Sequence, residues 1–291
     1  MTCPLELAKG WTPGRAYTLH QGAAPLLVSV PHAGRELPPA LLRRLVPRAH
    51  EVEDTDWHVD RIYKFVQDLG ASFLVPRFSR YLVDLNRPSE NVPMYPGANN
   101  TSICPTTFFD GTPLYRAGQM PTDHDVNERI RDYWKPYHDA ITAEMVRLHS
   151  HHGYVVLWDG HSICSEVPWL FEGRLPDLNL GTVDATSCSP SLRSLCAEVL
   201  AGQRQLSSAI DGRFKGGHIT RFYGRPEQGW HAIQMEMTWS SYLDESRPRH
   251  WNPARAEPTR SVLQTLIENI LDWHPPSIEI LDDAIRAPGI K

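Results

Sequence analysis

Pro25-Leu26-Leu27-Val28-Ser29-Val30 is a short apolar run that halts at Pro31-His32-Ala33-Gly34. A run of this length, carrying β-branched residues and closed by turn signals, reads as a strand of a parallel sheet buried on both faces. Downstream, Asp54-Thr55-Asp56 opens a helical pattern with Val59, Ile62, Tyr63, Val66 and Leu69 on one face, ended by Gly70. Ala71-Ser72-Phe73-Leu74-Val75 then forms a second strand. Strand, helix, strand is the signature of an α/β fold. Arg80-Tyr81-Leu82-Val83-Asp84-Leu85 reads as a third strand, leading into Asn86-Arg87-Pro88 and a stretch rich in Pro, Gly, Asn and Thr up to about residue 122. So long a segment with little regular pattern is expected to be an active-site loop.

From Thr122 to His149, Ile130, Tyr133, Trp134, Tyr137, Ile141, Met145 and Leu148 recur at helical spacing, with Pro136 placed to kink or divide the helix. The strand Tyr154-Val155-Val156-Leu157-Trp158 runs directly into Asp159-Gly160-His161-Ser162. A helix over Ser191 to Leu200, the segment Gly216-Gly217-His218-Ile219-Thr220-Arg221, a strand over His231 to Met237 and a helix from about Thr259 to Trp273 complete the pattern. No repeat or internal boundary interrupts it, so residues 1–291 are expected to form one α/β domain.

Composition narrows the function. The 291 residues are 41% hydrophobic and 22% charged, which excludes disorder, collagen and coiled coil. Lys and Arg number 29 against 34 Asp and Glu, a net charge of −5 with no long block of either sign, so neither nucleic acid nor an anionic membrane is an expected partner. The expected partners are a small-molecule substrate and, at most, further copies in a small homo-oligomer. No apolar run approaches the ~20 residues that span a bilayer, and Met1-Thr2-Cys3-Pro4-Leu5-Glu6 has no basic segment followed by an apolar one, so the cytoplasm is the expected compartment. The five cysteines (Cys3, Cys104, Cys164, Cys188, Cys196) are scattered and include no C-x-x-C pair, which argues against a disulfide framework and a thiolate zinc site.

Two histidines, His32 and His161, stand just past buried strands. In open α/β sheets, ligands collect beyond the carboxyl ends of the strands, so both rings are placed to share one crevice. A hydrolytic zinc site takes three ligands from His and carboxylate and leaves a position for water. Glu36, Asp54, Asp56 and Asp159 are the candidate carboxylates, the Asp54-Thr55-Asp56-Trp57 turn being the most suggestive; one of its two aspartates is also expected to cap the following helix. Glu236 stands inside an apolar strand, where an unpaired carboxylate is costly to bury; it fits a general base, or else a salt bridge to an arginine. Arg80, Arg87 and Arg221 bracket the crevice, with Arg87 suited to holding a carboxylate and Arg80 to stabilising an oxyanion. No P-loop, G-x-G-x-x-G or G-x-S-x-G motif is present where nucleotide binding or a serine nucleophile would require one.

Six ordered motifs together carry a more specific signal: Ser29-Val30-Pro31-His32-Ala33-Gly34, Asp54-Thr55-Asp56-Trp57-His58, Ser79-Arg80-Tyr81-Leu82-Val83-Asp84-Leu85-Asn86-Arg87-Pro88, Asp159-Gly160-His161-Ser162-Ile163, Gly216-Gly217-His218-Ile219-Thr220-Arg221 and Gln234-Met235-Glu236. Over most of its length the chain resembles the N-formylglutamate amidohydrolase (N-formylglutamate deformylase) family of histidine degradation, itself similar in fold to zinc carboxypeptidases and aspartoacylases. The resemblance implies a mixed, mostly parallel sheet flanked by helices, and hydrolysis of N-formyl-L-glutamate to formate and glutamate. It implies one Zn²⁺ per chain, or another transition metal, held by His32 and His161, with Glu236 as general base and Asn86 and Arg87 on a substrate carboxylate.

The chain departs from the His-x-x-Glu pattern of carboxypeptidases, since position 35 is Arg; Asp56 is therefore taken as the third metal ligand, with Glu36 and Asp54 as runners-up. Gly160 stands where the family often carries Ala, a change expected to be harmless. Arg80 is assigned to the oxyanion, Arg221 to the substrate carboxylates beside Arg87, and His218 to a hydrogen bond or proton relay. The alternatives are a deacylase for another N-acyl or N-formyl amino acid and, from another class, a non-catalytic carboxylate-binding protein.

Overall fold

The run around Val28 forms strand β2 (Leu26–Ser29), every residue of which is buried. Its neighbours are β3 (Ser72–Pro76) on one side and β4 (Val155–Ile163) on the other, both parallel to it. β7 (Trp230–Thr238) continues the parallel set beyond β4. This computed structural model describes residues 16–90 and 101–276; Cys3, the opening Met1–Glu6 and part of the long loop lie outside them. Among the described residues the sheet has seven strands, in the order β1-β3-β2-β4-β7-β5-β6. β1 (Tyr17–His20) closes one edge antiparallel to β3, and β5 (Leu178–Gly181) is antiparallel to β7 and parallel to the outermost strand, β6 (Ser208–Ile210). The sheet is therefore mixed with a parallel centre, as expected.

The two halves of the predicted 122–149 helix are α3 (Asp123–Arg129) and α4 (Lys135–His152), separated by a π-helical turn over Ile130–Trp134. Thr122 caps α3 through a reciprocal capping box with Asp125, and Pro136 follows closely on the π-helical turn, where the regular helical hydrogen-bond ladder is already interrupted. α4 packs on β2, β3 and β4. Two longer helices, α5 (Pro190–Gly202) and α8 (Pro253–Asp272), pack against each other, and two single-turn helices are α1 (Pro39–Leu42) and α7 (Trp239–Tyr242), the latter packed on α8.

Four expectations are corrected. The segment Arg80–Leu85 is not a strand but a succession of turns, because Leu82 N bonds Ser79 O, Arg87 N bonds Asp84 O, and the Arg80 and Asp84 side chains pair across one coil of chain. Its apolar side chains are still buried, which is why its composition resembles a strand. His161 lies inside β4 rather than beyond it, since the pairing with β7 extends as far as Ile163 and Thr238. The helix after Asp56 is a single turn, α2 (Val59–Ile62), interrupted at Tyr63 and followed by a 3-10 turn over Lys64–Gln67. Its N-cap is His58 in the left-handed region (φ 62°), so neither Asp54 nor Asp56 caps it.

Candidate metal centre and substrate cavity

His32 stands three residues past β2, and its carbonyl accepts a hydrogen bond from Asp56 N at 3.1 Å. That bond stitches the Asp54–Trp57 turn to the loop after β2. From the other side, Ser162 N donates to Asp56 Oδ2 at 2.9 Å, which ties the same carboxylate to β4. Asp56 Oδ2 lies 3.2 Å from His161 Nδ1 and 3.8 Å from His32 Nδ1, and the two imidazole centroids are 4.9 Å apart. The ligand atoms of His32, Asp56 and His161 all fall within 4.8 Å of one another, and all three residues are buried.

The second nitrogen of each ring is also engaged. His32 Nε2 is 2.7 Å from Asp84 Oδ1, and His161 Nε2 is 2.9 Å from Asp159 Oδ2. A ring that donates Nε2–H to a carboxylate keeps the Nδ1 lone pair for a cation, the usual outer partnership of metal-binding histidines. Two imidazoles and a carboxylate, buried and oriented in this way, fit a divalent transition ion.

The charges are mutually supporting. Burial would raise the pKa of Asp56, but its hydrogen bond with His161 and the charges of His32, His161 and Arg80 hold it below the ordinary carboxylate range. Burial and the neighbouring Arg80 lower His32, whereas in His161 the charge and hydrogen bond of Asp159 outweigh burial and raise it. Arg80 donates to Asp84 Oδ2 at 2.6 Å, and its other Nη stands 3.3 Å from His32 Nδ1 and 3.9 Å from Asp56 Oδ1.

The β4–β7 register sets His161 directly opposite Glu236, and Asp159 opposite Gln234. Because side chains alternate along a strand, these four project from one face of the sheet. Burial raises the pKa of Glu236 against the opposing charge of His161. Among the described residues no arginine forms an ion pair with it, so the salt-bridge alternative finds no support. The cavity is lined by the three ligand candidates, Arg80, Asn86, Arg87 and Glu236 together.

Of the other expected residues, Asn86 and Arg87 line the cavity, whereas Arg221 and His218 lie outside it. Asn86 belongs to the site's own framework: its Oδ1 accepts from Ile219 N at 2.8 Å, and its Nδ2 lies 3.0 Å from His161 Nε2, whose proton goes to Asp159. Arg87 lines the cavity and donates to Thr101 O, Thr101 Oγ1 and its neighbour's carbonyl, which fixes its guanidinium. Arg221 is exposed on the short helix α6 (His218–Tyr223), donates to Gly216 O and does not line the cavity. His218 also lies outside the lining; its ring packs among Trp134, His138 and Phe222, and its Nε2 is buried without a partner. Glu36 pairs with Arg77, and Asp54 accepts from Tyr81 Oη and Phe109 N, so neither runner-up joins the ligand cluster.

Sequence reasoning passed over Asp84, Asp159 as a histidine partner and the cavity-lining Arg213. For two of them a signal was available, Asp159 two residues before His161 and Asp84 four after Arg80. For Arg213 there was none.

Residues 24–243 match the family N-formylglutamate amidohydrolase. The chain is 48% identical over 253 residues to an N-formylglutamate deformylase of Pseudomonas aeruginosa, covering 87% of this chain and 95% of that one. A second N-formylglutamate deformylase, from Pseudomonas putida, is 43% identical over 259 residues, covering 89% and 97%. Among solved structures, the N-formylglutamate amidohydrolase of Ralstonia eutropha JMP134 superposes with a TM-score of 0.75 at 25% identity, covering 88% of this chain and 97% of that one.

Proposed function

The chain belongs to the N-formylglutamate amidohydrolase family, and from that premise we propose that it hydrolyses the formyl amide of N-formyl-L-glutamate, giving formate and L-glutamate, with one zinc ion held by His32, Asp56 and His161. The observation that carries this reading is the buried convergence of those three ligand atoms beside Glu236, in a cavity that also holds Arg87.

When bound, a divalent ion supplies positive charge that polarises a carbonyl and acidifies water. The chain's own groups do the rest. The Glu236 carboxylate takes a proton from the attacking water and returns it to the amide nitrogen as the C–N bond breaks. Its place on β7, directly opposite His161, sets it beside the ligand cluster, where a group that first takes and then returns a proton is required. Arg80, fixed by Asp84, offers N–H donors to the negative charge that develops on the formyl oxygen. Arg87 presents a planar fork to a carboxylate of the substrate. Asp84 and Asp159 hold the imidazoles in place.

We read residues 1–291 as one domain and the cytoplasm as its compartment; among the described residues no helix is long and apolar enough to cross a membrane. The test is formate release from N-formyl-L-glutamate by the zinc-loaded protein. Glu236→Gln is expected to retain zinc and lose about 10²–10⁴ in kcat. Near-normal turnover in that variant would remove Glu236 from the chemistry, and turnover only with another N-acyl amino acid would replace the substrate.

A further inference from the structure

Arg213 lies on the loop between β6 and α6 and lines the same cavity as Arg87. β6 is three positions from β4 in the order β4-β7-β5-β6, so at ~4.8 Å per strand its backbone stands on the order of 14 Å to that side of His161. The side chain thus enters from the far edge of the sheet, whereas Arg87 follows Asn86, which touches His161. Ile163, Leu170 and Phe214 provide apolar wall in the same cavity.

The loop carrying Arg213 is fixed at both ends. At one end, the Asp211 carboxylate accepts from Thr182 N and Thr182 Oγ1, both at 2.6 Å, and from Arg193 at 3.0 Å. At the other, Val183 N donates to Lys215 O at 2.6 Å and Lys215 Nζ pairs with Asp184 at 2.8 Å. Val183, Asp184 and Ala185 take φ values of 52°, 52° and 68°, and Asp211 takes 51°. Non-glycine residues rarely adopt that region, and such conformations persist only where surrounding bonds impose them. Arg213 itself donates to Leu170 O at 2.9 Å and lies over the Phe214 ring, 5.6 Å from its centroid.

Resting on the reading of the chain as an N-formylglutamate hydrolase, we propose that Arg213 recognises the side-chain carboxylate of the substrate, while Arg87 holds the α-carboxylate. The α-carboxylate shares a carbon with the reacting amide nitrogen and so must bind beside the ligand cluster, where Arg87 is. The side-chain carboxylate lies two methylenes farther on, and those methylenes suit the apolar wall that leads toward Arg213. Arg213 is thereby the specificity-determining residue for an acidic side chain.

The test compares kcat/KM for N-formyl-L-glutamate and its neutral isostere N-formyl-L-glutamine in the zinc-loaded wild type, Arg213→Gln and Arg213→Lys. The ratio favouring the acidic substrate is expected to fall about 10- to 100-fold in Arg213→Gln, mainly through KM for N-formyl-L-glutamate, and to recover in part in Arg213→Lys, which keeps the charge without the fork. A ratio unchanged in both variants, or equal losses on both substrates in both variants, overturns the assignment of Arg213 while the wild type remains active. A wild type that releases no formate from N-formyl-L-glutamate overturns the functional reading, and this inference with it.

Discussion

His32 Nε2 lies 2.7 Å from Asp84 Oδ1, and this one contact decides which nitrogen of the ring faces Asp56. Burial alone would raise Asp84, but Arg80 and His32 hold its carboxyl well below the usual range, so it remains an anion against the ring. Asp84→Asn should weaken zinc binding about 10- to 100-fold, because the amide is a poorer acceptor and makes Nδ1 less electron-rich. Competition with a calibrated chelator measures this, and unchanged affinity would leave Asp84 as a partner of Arg80 alone.

Gly160 gives a second prediction, because the space at this position is closed to a side chain. A Cβ at this position would lie 2.7 Å from Tyr63 Cε2, closer than real contacts allow. Tyr63 cannot easily retreat: it is fully buried, and its hydroxyl accepts from Trp158 Nε1 at 2.9 Å. Gly160→Ala should therefore destabilise the fold by about 1–3 kcal/mol through overpacking. A denaturation midpoint equal to wild type would mean that the Tyr63 ring moves freely.

How far the sequence could be read follows from these same residues. The buried run at Val28 and the long apolar strands gave the parallel centre, because a strand buried on both faces needs no alternation to be recognised. The strands β1, β5 and β6 have three or four residues each and lie at or near an edge, too short to leave a pattern. His32, His161 and Glu236 were legible as candidates because a polar residue at the end or inside of a buried strand needs a reason, and Asp56 because it stands in a conspicuous acidic turn. Asp84 was hidden inside what reads as a strand. Arg213 was hidden because an arginine in a polar loop carries no local mark of the cavity it faces. Arg221 was misjudged for the converse reason: it stands in a conspicuous motif, yet its helix leaves it exposed.

A third prediction concerns pH and stability away from the site. Burial pushes His138 from 6.5 down to about 3, while its Nε2 bonds Leu85 O and its Nδ1 stands 3.0 Å from Tyr223 Oη. The folded protein keeps this ring neutral and the unfolded chain protonates it near 6.5, so the unfolded state gains protons first as pH falls. From this residue alone, stability should be full above about 6.5 and be lost progressively as the pH falls below it toward about 3. His231, lowered to about 4 by burial, acts in the same direction. In His138→Gln the fall in Tm between pH 7.5 and 5.5 should shrink; an unchanged fall would assign the acid sensitivity to other groups.

The most direct measurement is a crystal structure of the zinc-loaded protein with anomalous data at the metal edge. One ion per chain is predicted, about 2.0–2.2 Å from His32 Nδ1, His161 Nδ1 and a carboxylate oxygen of Asp56, facing the cavity that holds Glu236. An anomalous peak elsewhere, or none in protein that releases formate, would contradict the account.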